Sequence, residues 1–134
     1  MIKGFACGVF DIFHPGHVLM LENCKKKCDI LTIALNTGTE FDYHINPGKR
    51  KPIYTIEQRI LMLRSCKYVD EILTYRNEEE LIRLLRKNKY DIRFLGDDYI
   101  GKKITGPELT SEITFIDRSH GFSTSALIQI IKLA

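Results

Sequence analysis

The chain has 134 residues, 44% of them hydrophobic and 28% charged, with 20 Lys and Arg against 17 Asp and Glu for a net charge of +3. That length predicts a single domain over 1–134 with no room for a second. So slight a basic excess suits an anionic small molecule and argues against nucleic acid as partner. No apolar run approaches a membrane span, and Met1 to Phe13 lacks the pattern of a signal peptide, so a cytoplasmic protein with no membrane partner is expected.

Residues 2–9, with Ile2, Phe5, Ala6 and Val9 apolar, predict a first buried strand. It breaks into the turn Gly8-Val9-Phe10-Asp11-Ile12-Phe13-His14-Pro15-Gly16-His17. A helix follows from about Gly16 to Lys27, with Val18, Leu19, Met20 and Leu21 as its expected apolar face. A strand-to-helix crossing exposes backbone N–H groups at the positive helix end, so this stretch is read as a phosphate site. His14 and His17 flank the turn, and Gly16 permits close backbone approach, which places both imidazoles to reach one phosphate. Metal ligation is the alternative use of such a pair, but no third ligand follows at a usual spacing.

Ile30 to Leu35 is nearly all apolar, as in a parallel strand covered on both sides. Residues 36–52 carry no periodicity and end in Lys49-Arg50-Lys51, and a loop of that length in a small domain is usually functional. Thr55 and Gln58 form a capping-box pattern ahead of a helix from Ile56 to Cys66. Further on come a strand over 70–75, a helix over 78–87 and strands over 91–95 and 112–116. A last helix over 126–133 has Ser123 or Thr124 as its cap. Cys7, Cys24, Cys28 and Cys66 show no CxxC spacing and read as reduced thiols, with no metal site expected.

The alternation predicts an α/β fold: a Rossmann-like, doubly wound, parallel five-stranded sheet with helices on both faces. In such sheets ligands bind beyond the carboxyl ends of the strands. The polar stretches 8–17, 36–52, 96–99 and 117–125 each follow a strand, so they are expected to converge on one edge. No dinucleotide Gly-rich fingerprint and no Walker lysine loop is present.

Gly8 to His17, with His14-x-Gly16-His17, and Arg118-Ser119-x-Gly121-Phe122-Ser123-Thr124-Ser125 before the last helix resemble the cytidylyltransferase family, most closely its small single-domain glycerol-3-phosphate members. The resemblance spans nearly the whole chain. It includes Tyr54 to Arg59, Tyr68-Val69-Asp70-Glu71-Ile72 and Gly96-Asp97-Asp98-Tyr99 with Gly101-Lys102. It implies transfer of CMP from CTP, with magnesium, to a small phosphorylated alcohol such as glycerol 3-phosphate, releasing pyrophosphate, by a protein that is a homodimer. An ATP-dependent adenylyltransferase acting on a sugar phosphate or flavin precursor, or a non-catalytic nucleotide-binding module, are the alternatives.

Carried onto this sequence, the resemblance makes His14, His17, Lys51 and Arg118 catalytic. It assigns the nucleotide to Gly8, Val9, Phe10, Gly16, Gly96, Asp97, Asp98, Gly121, Phe122, Ser123 and Thr124, together with His14, His17, Lys51 and Arg118. The acceptor falls to Asp11, Lys49 and Arg59, with Arg59 and Asp70 expected in buried networks. Val9 stands where a small hydroxyl residue is common, and Tyr99 where glycerol-3-phosphate members often carry tryptophan. Arg76-Asn77-Glu78-Glu79-Glu80 lacks the tryptophan and lysine that those members turn toward the acceptor. Three glutamates facing the pocket would repel a phosphorylated acceptor.

Overall fold

The computed structural model describes residues 1–38 and 51–134. In chain order it contains β1 (Lys3–Gly8), α1 (Pro15–Lys25), β2 (Ile30–Asn36), α2 (Ile56–Arg64), β3 (Glu71–Tyr75), α3 (Glu78–Asn88), β4 (Ile92–Gly96), β5 (Glu112–Ile116) and α4 (Thr124–Leu133). The strands form one parallel sheet in the order β3-β2-β1-β4-β5. One core cluster packs Leu21 and Cys24 of α1 and Leu63 of α2 against Ala6, Ile33 and Phe94. A second lies on the other face, where Leu81 and Leu85 of α3 meet Phe5, Ala34, Tyr75 and Tyr90. Helices therefore cover both faces, and the predicted α/β architecture holds.

One helix face differs from the sequence reading. Val18 and Leu19 are 37% and 39% exposed, while Leu21 and Cys24 face the sheet. Four consecutive residues sweep most of a helical turn, so an unbroken apolar run cannot all point inward; the pair three apart decides the buried stripe. On α2, Arg59 and Leu63 are the buried pair and Leu61 is 56% exposed. The caps follow the sequence closely. Thr55 N–H donates to Gln58 Oε1 and Gln58 N–H to Thr55 Oγ1. Ser123 Oγ accepts from Ala126 N–H at the start of α4.

Pairing of β1 with β2 runs the full length of β1. With β4 it is confined to Gly4↔Ile92 and Phe5↔Arg93. The sheet thus opens between the carboxyl halves of β1 and β4, which is also where the strand order reverses direction, the place where α/β sheets bind ligands.

The turn after β1 is strained and clamped. Phe10 and Ile12 have φ of 52° and 48°, a left-handed conformation that is costly for side chains of this kind. Asp11 between them holds the turn: its carboxylate accepts from Ile53 N–H at 2.8 Å and Tyr54 N–H at 2.9 Å. Its carbonyl accepts from the Thr124 hydroxyl at 2.9 Å. Arg59, 0% exposed, lies beneath and donates from Nη1 to Val9 O and Asn36 O and from Nε to Tyr54 O. Both residues hold backbone groups around the turn, and Arg59 sits in the buried network expected for it. Asp70 belongs to a separate network, accepting from Lys25 Nζ and Leu31 N–H where β2 begins.

Arg59→Leu should destabilise the protein by about 3 kcal/mol in urea unfolding, because it leaves several backbone carbonyls without their donor. A loss below about 0.5 kcal/mol would show that the guanidinium is not what holds the turn.

Candidate nucleotide site

A cleft of about 380 Å³ occupies the opening between β1 and β4, within the size range of small-ligand sites. From the first motif, Gly8, Val9, Phe10, His14, Gly16 and His17 line it; from the last, Arg118 and Phe122 do, and Gly96 completes the wall at the end of β4. Two glycines allow these segments to meet. A Cβ on Gly16 would stand 2.8 Å from His14 Cε1, 2.9 Å from His120 Cε1 and 2.9 Å from Phe122 Cβ. A Cβ on Gly96 would stand 2.7 Å from Arg118 Cδ. A side chain at either position would displace these neighbours.

The two histidines build the end of α1. His14 is its N-cap, and its Nδ1 accepts from Gly16 N–H at 3.0 Å. His17, at the third helical position, accepts in return from His14 N–H through its own Nδ1 at 3.2 Å. This is a capping box made of imidazoles, with Pro15 in the first turn where its missing N–H costs nothing. A neutral ring that accepts at Nδ1 carries its proton on Nε2, so both rings present an Nε2–H donor. The rings stack at 3.8 Å between centroids, and Phe10 and Phe13 lie against His17 at 5.3 Å each. Burial first, then the His14 and Arg118 charges, push the His17 imidazole down to about 3, against a smaller opposing pull from Asp11. His14 is lowered in the same sense by burial, His120 and Arg118.

Arg118 crosses Gly96 and pairs with Asp98 at 3.3 Å, while its backbone N–H donates to Asp97 Oδ2. Asp97 and Asp98 thus hold Arg118 from outside the cleft wall. Gly121, with φ of 78°, turns the chain toward α4. Ser123 is occupied as the α4 cap, and the Thr124 hydroxyl is tied to Asp11. Lys51 is exposed and does not line the cleft; Lys49 lies outside the described residues. Among the described residues no group of three His, Cys, Asp or Glu side chains is placed to hold a metal, and no helix is long and apolar enough to cross a membrane.

Other lining residues are not among the site residues assigned from sequence, although Glu78 and Tyr99 mark departures from the family pattern. His120 accepts from Phe122 N–H at 2.9 Å and adds a third imidazole beside His14. Arg93, Glu78, Tyr99, Lys103 and Thr105 also line the cleft. Of the three glutamates, only Glu78 is there: Glu80 binds Arg76, and Glu79 lies beside Arg83 at 4.0 Å.

Residues 5–129 match the model of the cytidylyltransferase-like family. The chain belongs to that family. Its relatives include the bifunctional protein HldE of Helicobacter pylori strain J99, 36% identical over 128 residues that make up 96% of this chain and 27% of the relative. HldE of Campylobacter fetus is 35% identical over the same shares. The chain spans about a quarter of the length of these curated relatives, 27% in each. Among solved structures, a lipopolysaccharide core biosynthesis protein from Thermoplasma volcanium aligns with a TM-score of 0.69 at 30% identity, covering 87% of this chain and 96% of that one.

His17 gives this family member a pH dependence whose sign is set by burial. The unfolded imidazole binds its proton near 6.5 and the folded one only near 3, so acid favours the unfolded chain. The contribution is fully present above pH 6.5 and is lost as pH falls toward 3, by up to about 1 kcal/mol per pH unit. Unfolding by urea at pH 7 and pH 5 should show that loss. His17→Gln, which retains a capping-box acceptor, should reduce it; an unchanged slope would contradict the assignment.

Proposed function

We propose that the chain transfers CMP from CTP to a small phosphorylated alcohol, of which glycerol 3-phosphate is the simplest, and releases pyrophosphate. The observation that carries the reading is the pair of Nε2–H donors from His14 and His17 facing a cleft that Arg118 enters from the other end of the sequence. A phosphomonoester is already ionised near neutral pH, so its oxygen needs no base to attack the α-phosphorus. The new P–O bond forms as the bond from the α-phosphorus to the bridging oxygen breaks, and pyrophosphate leaves with that electron pair. The barrier lies in bringing anions together and in the charge that develops on the α-phosphoryl oxygens.

In this reading His14 and His17 donate to those oxygens, and their neutral state rules them out as proton donors to the leaving group near pH 7. Arg118 and the α4 N-terminus, where Ser123 and Thr124 sit, face the β- and γ-phosphates. Lys49 and Lys51 would neutralise the phosphates of acceptor and nucleotide. Magnesium enters as the counter-ion of the nucleotide, part of the substrate; as a hard cation it takes phosphate oxygens and water over imidazole nitrogen. A second reading, ATP with a sugar phosphate, is favoured by the likeness to a lipopolysaccharide core biosynthesis protein. We place the protein in the cytoplasm as a homodimer, for which the apolar Ile130 and Ile131 of α4, each 64% exposed, offer a surface that a second copy would cover.

Pyrophosphate release with CTP or ATP and a panel of phosphorylated polyols and sugars decides between these nucleotides. His14→Asn retains an N-cap acceptor but removes the Nε2–H donor, and should lower kcat about 100-fold or more while leaving the nucleotide-induced thermal shift in place. Wild-type turnover in that variant would contradict the assigned role.

A further inference from the structure

The cleft has two sides. Its histidines stand at the start of α1, whose Leu21 and Cys24 pack on one face of the sheet. Arg93 pairs in register with Phe5, and Phe5 belongs to the cluster under α3 on the opposite face. The cleft therefore passes through the opening between β1 and β4 and ends, on the far face, at Arg93.

Arg93 is 3% exposed. Its Nη1 donates to Thr105 O, its Nε–H has no acceptor, and no carboxylate of the described residues pairs with it. A buried guanidinium without a counter-anion is costly by several kcal/mol, and an unmade N–H bond adds to that. Lys103 lines the same cleft, where Glu78 is the one carboxylate among the described lining residues. A neutral hydroxyl or a nucleobase edge would satisfy the hydrogen bond and leave the charge uncompensated; a carboxylate does both, in the forked geometry that arginine prefers.

We infer that Arg93 selects an acceptor with a carboxylate at the end remote from its phosphate, so that the substrate class is a small phosphorylated hydroxy acid rather than a neutral polyol phosphate. This rests on the transferase reading above for calling the ligand an acceptor, and the chemistry at phosphorus is the same. The phosphate sits in the opening beneath His14 and His17, and the carboxylate reaches through to Arg93. Glu78 and Tyr99 border the tail between them.

Titration calorimetry with 3-phosphoglycerate and glycerol 3-phosphate tests this without requiring turnover. The wild-type protein should bind the carboxylate compound about tenfold or more tighter, the equivalent of one charge-assisted hydrogen bond. Arg93→Gln should abolish the preference with CTP and ATP binding unchanged. Arg93→Lys, which keeps the charge, should retain part of it and serves as the decisive variant if the glutamine fails to fold. Equal binding of the two compounds by wild type, a preference unchanged in the variants, or loss of nucleotide binding in Arg93→Gln would each overturn the inference. Pyrophosphate release in the same samples separates the two readings. Discrimination without turnover on any acceptor would sink the transferase reading and leave the carboxylate site standing, whereas turnover without discrimination would do the reverse.

Discussion

The site depends on a reciprocal hydrogen-bonded pair at the start of α1, in which His14 and His17 cap the helix with their own Nδ1 atoms. A serine and a glutamate would cap it as well. Imidazoles add something those residues lack: the atom that caps is on one side of the ring and a donor is on the other. Capping thereby fixes the tautomer, and burial keeps the rings neutral. Preorganised donors of this kind need no rearrangement when charge develops on a phosphoryl group.

The remaining structure holds that pair against its surroundings. The left-handed residues Phe10 and Ile12 bend the chain between β1 and α1, and Asp11 and Arg59 bind the bend to α2, to α4 and to the end of β2. Gly16 and Gly96 let Arg118, His120 and Phe122 come within contact of it. The parting of β1 from β4 after Phe5 leaves room for a ligand. Residues more than a hundred positions apart in sequence thus share one cleft.

Much of this was legible in the sequence, because the signals are local. Strand and helix order followed from apolar runs and their period, and the Thr55–Gln58 capping box from spacing alone. The His14-x-Gly16-His17 turn and the Arg118 to Ser125 stretch pointed to one edge, where both lie. What the sequence concealed is the direction of side chains. Asp11 sits inside the motif, and no local pattern shows that its oxygens meet backbone N–H groups that arrive from residues 53 and 54. Val18 and Leu19 are as apolar as Leu21, and only the rotation of α1 against the sheet turns them outward. Arg93 lies in a strand with no motif around it. Its importance arises from a long-range fact, the absence of a counter-charge among the described residues, that no local pattern encodes.

Histidine ring nitrogen NMR tests the central claim most directly, since long-range proton–nitrogen correlations report both tautomer and charge. At pH 7 His14 and His17 should both appear as neutral rings with the proton on Nε2, and at pH 5 His17 should remain so. Rings protonated under those conditions, or a proton on Nδ1 of either one, would contradict the capping box and with it the account of how this site presents donors to a phosphate.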